Sequence, residues 1–312
     1  MLKVEQLSKS YDGKSIVDQL HLHIKAGEAY GLLGPNGAGK STTIGMISGL
    51  IKPQSGSIMI GEVNMLQAPK QAQRYIGIVP QEIALYLKMT ARENLMFWGR
   101  MYGLKGQQLK QRVAEVLQII GLEDRANDKV GAYSGGMKRR VNIGAAILHE
   151  PQLLIMDEPT VGIDPQSRNH ILQTVKQLNE QGMTIIYTSH YMEEVEYLCT
   201  RIGIIDHGKL LAEGSIEQLQ QLVGNATTIH IHLEEAVEDE QDLLAKLVTL
   251  CEGRSFTIKE SVITTLSNEP QTVLVRILPL LEAEHITISK IDIQKPNLET
   301  VFLHLTGRSL RD

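Results

Sequence analysis

Apolar and polar positions alternate strictly through Leu20-His21-Leu22-His23-Ile24, which predicts a strand with one buried face. A shorter apolar stretch, Leu2–Leu7, precedes it, and Tyr11-Asp12-Gly13-Lys14 reads as the turn between the two. The runs Ala29–Leu33, Gly56–Gly61 and Tyr75–Val79 are short, apolar and bounded by turn residues, so each reads as a strand. From Thr90 to about Ala146 the period becomes helical. Thr90 followed by Glu93 has the spacing of a capping box; Leu109, Val113, Val116, Leu117 and Ile120 then share one helix face, and Gly121 stops it. Another helix is predicted after Ser134-Gly135-Gly136, running to His149 before Pro151. Strand Leu153–Met156, helix Gln166–Glu180, strand Thr184–Thr188, helix Met192–Leu198 and strand Ile202–Ile205 then alternate. That order predicts a mostly parallel sheet with both faces covered.

A boundary is expected near Gly224. Beyond it the pattern predicts strand Thr228–Leu233, a helix over Asp239–Val248, strands at Phe256–Lys259, Thr272–Ile277 and Ile286–Ile293, and a helix from Asn297 to about Thr306. The acidic run Glu234–Asp242 reads as a solvated face or loop. The expected organisation is a first domain over 1–224, with a helical subdomain over about 88–148, and a small α+β domain over 225–312.

Composition narrows the function classes. Of 312 residues 42% are hydrophobic, enough for a sizeable core. A net charge of −5 and 4% aromatic residues give no support for a nucleic-acid surface. Cys199 and Cys251 are too few and too far apart for a disulfide scaffold or a metal cluster, and read as free thiols in a reducing compartment. His21, His23, His230 and His232 alternate along strands without ligand spacing and read as strand-face residues. No apolar run follows the first residues, so no signal peptide is expected, and no stretch approaches the roughly 18 apolar residues of a spanning helix. A membrane role would need another chain.

The chemistry-bearing signal is Gly34-Pro35-Asn36-Gly37-Ala38-Gly39-Lys40-Ser41-Thr42, between a predicted strand and a predicted helix. This is the phosphate-loop pattern in its required context. Glycines let backbone N–H groups turn inward around phosphate oxygens, and the following helix adds its positive end. Lys40 can reach between the β- and γ-phosphates, and the Ser41 hydroxyl is placed for Mg²⁺. The expected fold is therefore α/β with a P-loop NTPase core. Strand Leu153–Met156 runs into Asp157-Glu158, two carboxylates at the strand end that borders such a crevice. Asp157 would hold Mg²⁺. Glu158, turned elsewhere by strand alternation, would orient and deprotonate water beside the γ-phosphate. Two adjacent acids can also be an exposed turn. His190 and Gln81 each follow an apolar strand, so both fall at the same edge. The histidine can contact the γ-phosphate, and the amide can bridge metal and water.

Together these residues resemble the ATP-binding cassette family of transporter ATPases, with motifs in family order through the first 220 residues or so. The resemblance implies that Tyr11 stacks on adenine and that residues 36–42 bind the phosphates. It makes Gln81 the glutamine-loop residue, which shares Mg²⁺ with Ser41 and Asp157. Glu158, His190, Lys40 and Gln81 become the catalytic set, and Asp164 the loop aspartate. Ser134-Gly135-Gly136-Met137 matches the family signature, with methionine where glutamine is commonest. Ser134, Gly135 and Gly136 would then donate to ATP held by a second ATPase subunit, the same chain or a relative. Read locally, Ser134 is also a helix cap. Arg139 and Arg140 lie either near phosphates or a partner, or on a solvated face.

The segment Pro296–Gly307 is similar to the tail of ATPase subunits of drug, antibiotic and polysaccharide exporters that work with a separate ABC-2-type permease. Leu298, Val301, Phe302 and Leu305 either close their own small domain or stabilise a dimer. The resemblance implies ATP and Mg²⁺ as cofactors, a permease partner, a peripheral place on the cytoplasmic membrane face, and no nucleic acid. Leu85, Tyr86, Leu87, Leu95, Phe97, Trp98, Met101 and Tyr102 are candidates for a permease groove or for core. The alternative is a non-transport member of the same class acting on DNA or ribosomes. Such members carry long coiled-coil insertions or fused cassettes, and this sequence has neither.

Overall fold

The N-terminal alternation produces a hairpin. Strands β1 (Leu2–Tyr11) and β2 (Lys14–Ile24) pair antiparallel, with Leu20, Leu22 and Ile24 buried and the intervening histidines exposed. Next come β3 (Ala29–Leu33), α1 (Lys40–Ile47), β4 (Ser55–Ile60), β5 (Val63–Asn64), α2 (Pro69–Ala72) and β6 (Ile76–Val79). The helices α3 (Ala91–Met101), α4 (Gly106–Ile119) and α5 (Gly135–Ile147) lead to β7 (Leu153–Asp157). Then α6 (Pro165–Glu180), β8 (Thr184–Thr188), α7 (Met192–Leu198), β9 (Arg201–Asp206) and β10 (Lys209–Gly214) alternate, and α8 (Ile216–Leu222) follows. This computed structural model describes all residues except 223–226, 236, 238, 252–253, 295–296 and 307–312. It divides into two compact units, Met1–Ile216 and the described residues of 217–307. The boundary expected near Gly224 lies outside the described residues.

The first unit holds two sheets. One is antiparallel, in the order β2-β1-β4-β5. The other has the order β10-β9-β3-β8-β7-β6 and is parallel except for β10. Its central strands β3 and β8 are buried at every position, as a sheet covered on both faces requires. A core cluster joins Leu2, Leu7 and Leu20 of the antiparallel sheet to Met46 and Ile47 of α1 and to Ile155 and Ile186 of the parallel sheet. Each such side chain contributes about 1.5–3 kcal/mol of burial free energy. Because α1 is buried nearly all round, its first turn is held firmly.

Between β6 and β7 the three helices α3, α4 and α5 pack on one another. Thr90 and Glu93 form the capping box that their spacing predicts. Gly99 brings α3 against α4, because a Cβ there would lie 2.4 Å from Leu109 Cδ1. Leu95 is fully buried, so it belongs to the core of this layer and not to a surface groove. Tyr86, Leu87, Met101 and Tyr102 remain exposed.

The second unit has an antiparallel sheet in the order β12-β13-β11-β14, formed by β11 (Thr227–Leu233), β12 (Phe256–Lys259), β13 (Val262–Ser267) and β14 (Ile288–Gln294). Helices α9 (Glu240–Leu250), α10 (Pro270–Ala283) and α11 (Leu298–Thr306) complete it. Helix α10 corrects the strand expected at Thr272–Ile277. Val273, Ile277 and Leu281 are buried four residues apart, and Pro270 sits in the first turn, where its missing N–H costs nothing.

Candidate active site

Strand β3 ends at Leu33, and the loop to α1 turns under two neighbours. At Gly34 a Cβ would lie 2.4 Å from the Ile205 carbonyl oxygen. At Gly39, with φ +101°, it would lie 2.6 Å from that of Ile16. Ala38 fixes the loop from within: its N–H donates to Pro35 O at 3.1 Å and its carbonyl accepts from Gly208 at 3.0 Å. Lys40 opens α1, and its Nζ donates to Gly34 O at 2.6 Å and Pro35 O at 3.1 Å. Burial pulls the Lys40 ammonium below its ordinary pKa, against the opposing pull of Glu158 and Asp157.

The remaining candidates lie at the carboxyl ends of parallel strands: Asp157 ends β7 and Glu158 follows it, His190 comes after β8, and Gln81 after β6. Asp157 pairs in register with Thr188, whose hydroxyl donates to Asp157 Oδ1 at 2.8 Å. The main-chain N–H of Glu158 lies 3.0 Å from Thr188 Oγ1 and 3.2 Å from Thr188 O. Glu158 is past the strand end, with φ +49°, the left-handed region uncommon outside glycine. Its direction is thus set by this turn and not by strand alternation. Its carboxylate meets His190 Nε2 at 2.6 Å through Oε1 and Gln81 Nε2 at 3.2 Å through Oε2.

A cleft of about 550 Å³ is lined by Ile16, Asn36, Gly37, Gly39, Lys40, Ser41, Thr42, Gln81, Glu158, Val161 and His190. The first turn of α1, whose N–H groups have no partners inside the helix, opens onto it. An ammonium, a helix N-terminus and a histidine around one cleft fit a polyphosphate. Ser41, Gln81 and Asp157 offer the oxygen donors that Mg²⁺ prefers. Tyr11 and Ser134–Gly136 are absent from that lining. Tyr11 is exposed at the tip of the β1–β2 hairpin.

Ser134 N-caps α5, its Oγ accepting from Met137 N at 3.2 Å. Ser134 and Gly135 are exposed while Gly136 is buried. A Cβ on Gly136 would lie 2.2 Å from both Cβ and Oγ of Ser167. Gly136→Ala is therefore expected to destabilise the folded chain by about 1–3 kcal/mol through overpacking. A thermal melt at the wild-type midpoint would contradict this packing.

Sequence reasoning missed several members. Ile16 and Val161 line the cleft without any polar signature. Thr188 could have been found, since it ends the strand that precedes His190. Glu194, buried in α7, accepts the hydroxyls of Thr160 at 2.7 Å, Tyr187 at 2.8 Å and Ser189 at 2.7 Å. It thereby ties the segment after Glu158 to the segment carrying His190. Arg139 is buried, which overturns the solvated alternative.

A parallel sheet with this loop and acidic strand end defines a P-loop nucleoside triphosphatase. The sequence pattern described as "ABC transporter" matches residues 17–161. The chain is 53% identical to the linearmycin resistance ATP-binding protein LnrL of Bacillus subtilis (strain 168), over 100% of both chains. It is 39% identical to the Nod factor export ATP-binding protein I of Cupriavidus metallidurans, over 100% of this chain and 99% of that one. Among solved structures, the ATP-binding subunit of an ABC transporter superposes with a TM-score of 0.65 at 31% identity, covering 72% of this chain and 93% of the other. A dimeric ATP-binding cassette in a post-hydrolysis state, bound to ADP and Pi, gives 0.63 at 29% identity, covering 69% and 98%. The chain belongs to the ABC transporter family, as an ATP-binding and ATP-hydrolysing subunit.

Proposed function

We propose that two such subunits, copies of this chain or one copy with a close relative, drive a membrane exporter by closing on ATP. The reading rests above all on one observation: the cleft gathers Lys40, Ser41, Gln81, Glu158 and His190, while Ser134–Gly136 is absent from its lining. An exposed Ser134-Gly135 pair at the start of α5 suits donation to a phosphate on another chain. Residues 36–42 cradle the phosphates, and Tyr11 stacks on the base. Ser41, Gln81 and Asp157 hold Mg²⁺, which supplies charge neutralisation at the phosphates. Glu158 takes a proton from the attacking water, and His190 contacts the γ-phosphate and holds the Glu158 carboxylate in place. Once the γ-phosphate is cleaved, the contacts gripping it from both sides are lost and the pair opens.

Export is supported by the names of the resistance and Nod factor relatives. Among the described residues no helix is long and apolar enough to cross a membrane. In this reading the membrane path belongs to a separate permease, which holds this subunit at the cytoplasmic face. Exposed Tyr86 and Leu87 before α3 and Met101 at its end offer that partner apolar contacts. The domain division is proposed to follow 1–224 and 225–312. The test is to purify the Glu158→Gln chain with ATP, co-expressed with the genes flanking its own. A two-chain assembly carrying a membrane protein with several spanning helices is expected. A chain that stays monomeric with ATP, or that brings nucleic acid or ribosomes instead, would overturn the reading.

A further inference from the structure

The loop that carries Gln81 is held almost wholly by the helical layer. Among the described residues, the hydrogen bonds that its backbone over 80–89 makes outside the loop all run to that layer and its connections. Asn94 of α3, fully buried, accepts from Tyr86 N at 2.8 Å and donates to Tyr86 O at 3.0 Å. The N–H groups of Val130 and Gly131 donate to Met89 O and Leu87 O. The tightest hold falls next to Gln81. Arg139 of α5 donates through Nη1 to Pro80 O at 2.6 Å and through Nη2 to Gln81 O. One turn on, Asn142 lies 3.5 Å from Glu82 O and accepts from Ala84 N at 3.3 Å. Residues three apart share a helix face, so one face of α5 carries the segment 80–84. The Gln81 side chain alone reaches back, to Glu158 at 3.2 Å.

Arg139 is only 3% exposed, and its Nε is buried without a hydrogen-bond partner. Burying a guanidinium against two carbonyls, with its Nε–H left unpaired, is a poor way to stabilise a helix. An apolar side chain of like volume would pack there at less cost. The planar fork does what no apolar side chain can: it engages two successive carbonyls at once and fixes the peptide plane that aims Gln81. Lysine can reach successive carbonyls from one ammonium, as Lys40 does, but it lacks the planar fork that holds them in a fixed orientation.

We propose that Arg139 is a positioning residue for hydrolysis, locking the Gln81 peptide to the helix whose N-terminus is Ser134. Gln81 then travels with α5 and not with β6. Docking of Ser134–Gly136 on the other subunit's nucleotide thereby sets the approach of Gln81 to Glu158 within its own chain. Asn142 serves as the second, weaker tie.

This inference rests on the reading of Gln81 as a site residue, and the test separates the two. Steady-state ATP hydrolysis by the full chain is measured for Arg139→Met, Arg139→Lys, Asn142→Ala, Gln81→Ala and the Arg139→Met/Gln81→Ala double variant, with a thermal melt for each. Arg139→Met is expected to lower kcat about ten-fold, with the KM for ATP moving less than about two-fold, the size of effect seen when a coupling residue is removed. Arg139→Lys recovers part of that loss, and Asn142→Ala shows a smaller fall with the same split. The double variant is no slower than the slower single one, because both substitutions remove one connected action. Multiplying losses, or a folded Arg139→Met chain with unchanged kcat, would overturn the proposal. If Arg139→Met does not fold, unchanged kcat in Arg139→Lys and Asn142→Ala does the same. Should Gln81→Ala hydrolyse ATP at the wild-type rate, the reading of Gln81 falls and takes this route with it.

Discussion

Replacing Glu158 with Gln is expected to lower kcat for ATP hydrolysis by about 100- to 10,000-fold, the range supplied by a positioned general base. Affinity for ATP should stay close to wild type, because the substitution leaves residues 36–42, the proposed phosphate cradle, untouched. The amide matches the carboxylate in size and can still engage His190 and Gln81, now 2.6 and 3.2 Å from the two carboxylate oxygens. What it lacks is the basicity to accept a proton from water. Single-turnover hydrolysis alongside equilibrium ATP binding separates the two quantities. Nearly unchanged turnover would remove Glu158 as the base and move attention to His190.

Lys40→Ala should act on the other quantity. Its ammonium is buried at 7% exposure and bonded to two carbonyls of its own loop. The alanine loses both the charge that lines the cleft and the brace across Gly34 and Pro35. Truncating one partner of a buried, hydrogen-bonded charge pair costs about 2–5 kcal/mol, which is roughly 30- to 4,000-fold in Kd. Titration with a fluorescent ATP analogue reads this directly, and a Kd within a few-fold of wild type would contradict it. The downward pKa shift of Lys40 carries a definite sign. Its proton is held more tightly in the unfolded chain, so the charged side chain costs folding stability at neutral pH. That cost fades as pH rises from the folded value toward the ordinary lysine value. A bound polyphosphate works in the opposite direction, favouring the ammonium.

The parts of this molecule that were legible in sequence are those where one local rule suffices. Loop 34–42 sits between strand and helix because glycine spacing and apolar period say so. Strands β3, β7 and β8 are continuous apolar runs, the signature of a sheet buried on both faces. Rules in competition misled. In α10 the β-branched residues Thr272, Val273, Val275 and Ile277 mimic a strand, yet the four-residue spacing of Val273, Ile277 and Leu281 decides the outcome. Strand β10 went unseen because its Lys209 and Glu213 dilute the alternation of an edge strand. Partners distant in sequence were also invisible. Nothing near Arg139 announces that its fork closes on residues 80 and 81, and nothing near Glu194 announces three hydroxyls from two other segments.

The left-handed backbone at Glu158 bears on how such a chain could be engineered. A non-glycine residue there costs about 1–2 kcal/mol, borne because the two contacts from Thr188 hold the turn. A thermostabilisation campaign that ranked positions by backbone comfort would offer glycine at 158 among its first choices. If Glu158 is the base proposed above, a winner screened on melting temperature alone would be a sturdier protein whose ATP hydrolysis is slowed as steeply as in Glu158→Gln. On that proposed role, heat resistance and turnover would pull against each other at this one residue, so a screen of this chain needs an activity gate beside its melting curve.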